Sequence, residues 1–208
     1  MVKQKSLFIV FEGLEGSGKS TQAGLLASRL MEAGYDIKAT REPGGTRIGE
    51  LIRQITHSRD NVDLTAVAEG YLMAASRAQH IREIIRPALS GGKIVICDRF
   101  LDSSLAYQGY GRELGEEKMA ELNKLALDGI KPDLVIFLDL QPDLGFSRRN
   151  GSGKIDRLDL QQSDFYARVY RGYKKLAEKN RDKYFIVDSS KPVEEAAAII
   201  WKKVKSLL

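Results

Sequence analysis

FEGLEGSGKST, residues Phe11–Thr21, is the stretch on which the fold turns. Gly13-Leu14-Glu15-Gly16-Ser17-Gly18-Lys19-Ser20 matches G-x-x-x-x-G-K-[ST] in full. Its context is also right: the apolar run KSLFIVFE precedes it as a buried strand, and KSTQAGLLASRLMEAG follows with leucines and alanines at helical spacing, closed by Gly34. Glycines let a backbone curl until several N–H groups point at phosphate oxygens, and the helix N-terminus adds its dipole. Lys19 is expected to reach the β- and γ-phosphates, and the Ser20 hydroxyl to ligate Mg²⁺, with Thr21 closing the loop. These residues imply a nucleoside triphosphate and magnesium, and leave the reaction open.

Outward from this stretch, strand and helix alternate. YDIKATRE, KIVICD, DLVIFLD and KYFIVD read as further strands, REPGG as a turn and TRIGELIRQITH as a short helix. A long amphipathic helix is expected from Asp63 to Pro87, and the chain closes on PVEEAAAIIWKKVKSLL. Such alternation predicts an α/β fold with a parallel sheet covered on both faces, in a single domain over residues 1–208. No repeat, linker or low-complexity tract interrupts it. The one break in composition is Arg148–Arg157, RRNGSGKIDR, with glycines, four cations and no apolar period. It reads as a solvated loop or a mobile lid.

Composition narrows the partners. The 208 residues are 43% hydrophobic and 29% charged, ordinary for a soluble domain. The first apolar run is too short for a membrane span and lacks a small-residue cleavage site, so neither a membrane nor a signal peptide is expected. The single cysteine, Cys97, ends KIVIC and reads as a buried thiol, which suits a reducing cytoplasm. A net charge of +5 admits nucleic acid or a small polyphosphate. The cations are dispersed outside the glycine-rich break, which disfavours nucleic acid.

Three classes share the phosphate loop: switch GTPases, motor ATPases and small-molecule kinases. A guanine reader of the N-K-x-D type is missing; NKLA at Asn123 and NRDK at Asn180 do not fit. A kinase needs a second pocket, and the sequence offers one. Asp98-Arg99 follow a buried strand, where open parallel sheets bind ligands. Arg99 could fork onto an acceptor phosphate, and Asp98 could orient magnesium-bound water or help polarise the acceptor. Glu69, Met73, Arg77 and His80 recur at four- and three-residue spacing on one helix face. There Arg77 calls for a buried anionic or carbonyl partner, while His80 reads as structural or solvated. Ser104, Tyr107 and Gln108 fall within one helical turn and could read the edge of a base.

Together these residues resemble the thymidylate kinase family. The likeness keeps its order over nearly the whole chain: FEGLEGSGKST, TREPGGT, AASR, DSSLAYQG, KPDLVIFLD, a basic glycine-rich lid and RLD. The resemblance implies a P-loop NTPase three-layer fold, with a five-stranded parallel sheet flanked by helices and a mobile basic lid at about residues 148–160. It implies transfer of the ATP γ-phosphate to dTMP, Mg²⁺ as cofactor, and a homodimer. Glu15 would bond the deoxyribose 3′-OH, and Arg99 would hold the acceptor phosphate with Arg41 nearby. Pro43 would shape the turn and Arg53 line the mouth. Arg77 would donate to thymine O4, Ser104 meet N3, Gln108 close on the base, and Tyr107 fill the place of a ribose 2′-OH. Where the family often stacks a phenylalanine on the base this chain has Met73, a softer platform whose sulfur–aromatic contact is worth roughly 0.3–1.5 kcal/mol. Some members carry a catalytic arginine inside the loop; here that position is Gly16. The transfer charge would then come from the lid cations Arg148, Arg149, Lys154 and Arg157, with Arg148 or Arg149 on the moving group. Two rivals stay open at this point: a nucleoside or monophosphate kinase of other base preference, and a P-loop ATPase that serves a macromolecular partner.

Overall fold

The computed structural model describes residues 6–150, 157 and 161–208. Five parallel strands form one sheet: β1 (Leu7–Glu12), β2 (Ile37–Arg41), β3 (Ile94–Asp98), β4 (Leu134–Asp139) and β5 (Tyr184–Asp188), in the order β2-β3-β1-β4-β5. β1 is central, paired with β3 from Leu7↔Ile94 to Phe11↔Asp98 and with β4 from Ile9↔Leu134 to Glu12↔Phe137. Every strand ends on a charged residue: Glu12, Arg41, Asp98, Asp139 and Asp188. These ends form one polar rim at the carboxyl edge of a sheet whose three central strands are buried, where such folds place their ligands.

Pleating sends alternate residues to opposite faces. Leu7, Ile9, Phe11, Ile94, Ile96 and Ile136 pack against α1 (Lys19–Glu32) and α9 (Val193–Lys205). Phe8, Val10, Val95 and Cys97 meet Ile81, Ile85 and Phe100 on the other face. Further along that face Phe137 meets Tyr107, Tyr166 and Tyr173 on α8 (Ser163–Lys179) and its neighbours. The expected α/β sandwich is therefore found. Cys97 is buried as expected, and burial, with Glu42 next, pushes its thiol well above the usual value.

The long helix begins later than its pattern predicted. α3 spans Ala66–His80, with the Thr65 side chain accepting from the Ala68 N–H at its start. It passes through a π-helical stretch, Ile81–Ile85, into the short α4 (Arg86–Ser90). Pro87 lies in α4 and lacks an N–H for an unbroken ladder; the wider π turn lets the rod continue. α2 (Arg47–His57) starts at Thr46, whose hydroxyl accepts from Gly49 N–H at 2.9 Å. After β3, α5 (Leu101–Ser104) runs into a π-helical stretch, Leu105–Gly111, and α6 (Glu116–Leu127) follows. α7 (Pro142–Asn150) leaves the end of β4.

Candidate active site

The phosphate loop curls over the end of β1. Gly18 takes a left-handed φ of 86° just before α1, which turns successive N–H groups into the concavity. The Lys19 ammonium folds back to donate to the Leu14 carbonyl at 2.7 Å. Burial first, and Arg99 second, lower its pKa to about 8. The Leu14 side chain faces the α8 side of the core, so this residue serves the loop through its carbonyl. Gly16 abuts α7: a Cβ there would lie 2.4 Å from the Gly145 carbonyl oxygen. No side chain fits, which is the physical reason the loop carries no cation at that position.

Asp98 and Arg99 stand where the strand-end argument put them. Ser20 Oγ donates to Asp98 Oδ2 at 2.5 Å. These two hard oxygens suit Mg²⁺, which binds few protein ligands and completes its shell with water and phosphate. Arg99 has a φ of 70°, a conformation that costs a non-glycine residue on the order of 1 kcal/mol and needs surrounding support. The support is Glu12, fully buried at the end of β1. One of its oxygens accepts from Phe100 N–H at 2.9 Å and Ser103 N–H at 3.1 Å. The other accepts from Ser103 Oγ at 2.6 Å and Tyr173 OH at 3.0 Å. Held this way, Arg99 pairs with Glu15 at 2.6 Å and donates to the Gly13 carbonyl at 2.9 Å. Burial opposes its charge, but Glu15, with Tyr107, Tyr173 and Asp98, outweighs it and raises its pKa further.

A cleft of about 810 Å³ runs from the loop past Arg99 into a pocket between α3 and the 105–111 stretch. Arg41, Pro43 and Arg53 line its mouth, and Met73, Arg77, Ser104, Tyr107 and Gln108 its far wall. The family model described as thymidylate kinase matches residues 11–200. The chain belongs to the thymidylate kinase family. It is 45% identical over 197 residues to the thymidylate kinase of Geobacillus sp. (strain WCH70), covering 94% of each chain. Against that of Synechococcus sp. (strain JA-3-3Ab) identity is 46% over 202 residues, 97% of each. The crystal structure of thymidylate kinase from Ehrlichia chaffeensis superposes with a TM-score of 0.78 at 33% identity, over 96% of this chain and 99% of that one.

Every residue that the thymidylate kinase resemblance assigned to an acceptor nucleotide lines this one cleft. Among the described residues the Arg41 guanidinium pairs with Glu50 at 2.8 Å, an exposed contact worth little and easily exchanged. Arg53 donates to the Pro43 carbonyl at 3.2 Å; burial and then the Arg41 charge press its pKa down. Arg77 finds the partners its burial demanded. Nε lies 2.9 Å from Glu42, Nη2 donates to the Phe100 carbonyl at 2.8 Å and to Ser104 Oγ at 3.1 Å, and Nη1 reaches Asn123. His80 is structural: Nδ1 sits 2.9 Å from Glu42 and Nε2 2.6 Å from Thr40 Oγ1. Tyr107 OH is 3.3 Å from Arg99 Nη2, and Gln108 donates to Glu69 Oε1 at 2.6 Å.

Arg148, on α7, lines the cleft and donates to the Ser189 carbonyl at 2.8 Å. The Arg149 side chain and Lys154 lie outside the described residues. Arg157, counted from composition among the lid cations, is instead buried, with Nη2 on Glu69 at 2.6 Å and Nε on the Thr56 carbonyl at 3.0 Å. A guanidinium tied on both edges is a structural fastener rather than a mobile charge.

Behind the Arg99 turn a smaller cavity of about 240 Å³ is lined by Glu12, Asp102, Lys131 and Tyr184, among others. Asp102 accepts from Tyr184 OH at 2.6 Å, and burial, then the Glu12 carboxylate, raise it to about 7. The folded protein keeps this proton where the unfolded chain has lost it. The resulting stability is complete below the ordinary value of 3.8 and is lost as pH rises through about 7. Asp102→Asn still offers Tyr184 an acceptor. In urea titrations it should match wild type near pH 4 and exceed it by on the order of 3 kcal/mol at about pH 8.

Proposed function

We propose that this protein transfers the γ-phosphoryl group of ATP to dTMP, giving dTDP and ADP. The observation that carries the reading is the position of Arg99, which bridges the phosphate loop through Gly13 and Glu15 and opens on its other side into the acceptor cleft. A motor or switch has no use for a second walled pocket that ends on a fixed guanidinium beside the donor site.

The chemistry asks for position and charge more than for a base. An acceptor phosphate is already anionic, so no strong proton acceptor is required, and the reaction is governed by alignment and electrostatic support. Lys19 and the loop amides hold the donor phosphates. Arg99, with Arg41 and Arg53, holds the acceptor phosphate, leaving Glu15 for the sugar hydroxyl. Arg77, Ser104, Gln108 and Met73 read and cover the base, and Tyr107 crowds the 2′ position. Ser20 and Asp98 would hold Mg²⁺, which when bound neutralises phosphate charge. Arg148 and Arg149 supply the remaining positive charge and help exclude water.

Dimer formation is part of the proposal. α2 exposes Leu51 and Ile55, and the adjacent α3 exposes Val67 and Tyr71, two apolar pairs at i,i+4 spacing. A reducing cytoplasm suits the lone buried cysteine.

The test is ADP production from ATP and Mg²⁺ with dTMP, dUMP, dCMP, dGMP, UMP or no acceptor. Strong stimulation by dTMP supports the assignment; comparable rates with several pyrimidines keep the kinase and widen its substrate; indifference to every acceptor overturns it. The Lys19 pKa of about 8 adds a pH signature. Because kcat/KM reports the free enzyme, kcat/KM for ATP should fall as pH rises through about 8 and Lys19 loses its proton. Lys19→Arg should move that limb out of the accessible range.

A further inference from the structure

Gln108 reaches the cleft with a side chain that can face two ways. Its amide carries a donor and an acceptor, and exchanging them would invert what the pocket reads. What decides the matter is Glu69, fully buried on α3. Glu69 Oε1 accepts from Gln108 at 2.6 Å, and Oε2 accepts from Arg157 at 2.6 Å with Arg112 Nε 3.4 Å away. A carboxylate between two guanidiniums only accepts. One N–H of Gln108 must therefore point at Glu69, which turns the carbonyl oxygen away from the carboxylate and toward the cleft. Arg157 fixes Glu69 in turn, because its own N–H donates to the His57 carbonyl at 3.2 Å and its Nε to that of Thr56 at 3.0 Å.

We propose that Glu69 is a positioning residue for base selection. By holding Gln108 with its oxygen toward the cleft, it favours a pyrimidine that carries a hydrogen at N3, as thymine and uracil do. Cytosine presents an acceptor at N3 and meets that oxygen lone pair to lone pair. The sequence placed Glu69 on the right helix face but assigned it no task. The inference rests on reading the cleft as the dTMP site.

The experiment compares kcat/KM for dTMP and dCMP in wild type, Glu69→Gln, Gln108→Leu and the double variant. The Glu69→Gln amide can donate or accept, so Gln108 is released to turn. The dTMP-to-dCMP ratio should fall about tenfold or more, mainly through KM. Any preference due to Arg77 persists in every variant and cancels from the comparison. In the Gln108→Leu background, Glu69→Gln should leave the ratio unchanged within about twofold, since the group it acts through is gone. A purely structural Glu69 would lower both kcat/KM values in parallel and leave the ratio alone, which overturns the proposal; so does a change in ratio that persists without Gln108. Should Glu69→Gln fail to fold, wild type still decides. The Gln108 side-chain NH₂ signals, assigned by their loss in Gln108→Leu, should resist solvent exchange before and after dTMP is added, and rapid exchange without ligand overturns the proposal. A wild-type protein inert toward dTMP would sink the functional reading and this inference with it. With wild type active, the ratios bear on Glu69 alone.

Discussion

Lys19→Ala abolishes phosphoryl transfer and at the same time makes the protein more stable. Loss of a single neutral donor at developing charge typically costs 10²–10³ in rate, and Lys19 carries a full charge inside the loop, so kcat should fall by about 10³ or more. The stability gain follows from the same burial. Lys19 is 5% exposed, and its pKa is lowered from 10.5 to about 8. The folded state therefore pays to keep it protonated at neutral pH, a strain that alanine removes. Urea titration at about pH 7 should show a gain of about 1–3 kcal/mol, shrinking as pH rises from about 8 toward the ordinary lysine value, where the unfolded chain also loses its proton. Calorimetry should find dTMP affinity unchanged within about threefold, because Lys19 faces the donor. A variant that lost activity together with stability would point to collapse of the loop and overturn the argument. The opposition of activity and stability is what a residue held in place for catalysis should show.

The sequence made the main line of the fold readable because its signals are local. An apolar run, a glycine curl and a helix of leucines and alanines place β1, the loop and α1 without reference to anything distant. Charged residues directly after KIVIC could be placed at a ligand edge because a parallel sheet has only one such edge. Arg77 was readable in part: a guanidinium on an apolar helix face needs a partner, but Glu42 and Asn123 could not be named, since they approach from other elements. Glu12 went unrecognised for the same reason. A glutamate that ends a strand looks like any strand end, and its work lies in Phe100 and Ser103, 88 and 91 residues away. Pro87 inside a helical pattern signalled an end, whereas the π-helical stretch absorbs it. Arg157 misled most: among glycines and cations it reads as one more solvated charge, and only its burial on Glu69, 88 residues away, reveals a fastener.

Replacing both Arg148 and Arg149 by alanine should cut kcat by about 10³ or more while dTMP affinity stays within about threefold of wild type. The expectation begins at Gly16, where contact with Gly145 closes the position from which a loop arginine would act. The same contact seats α7 against the loop and brings Arg148, less than one helical turn further along, to the cleft wall. Among the described residues the partners of Arg148 there are backbone carbonyls, that of Ser189 at 2.8 Å and that of Ser190 at 3.5 Å. Neutral carbonyls hold a guanidinium less firmly than a phosphate does, so the side chain can exchange them for a charged oxygen when the donor is bound. Acceptor binding should be spared because Arg99, Arg41 and Arg53 surround that end of the cleft independently. Single-turnover kinetics with dTMP saturating separates the possibilities. A loss confined to the transfer step, with Arg148→Lys recovering only part of it, assigns planar guanidinium charge to the moving phosphoryl group. A raised KM for ATP at unchanged kcat would reduce both arginines to donor binding, and full activity in the double variant would leave the transfer without the charge that Gly16 cannot supply.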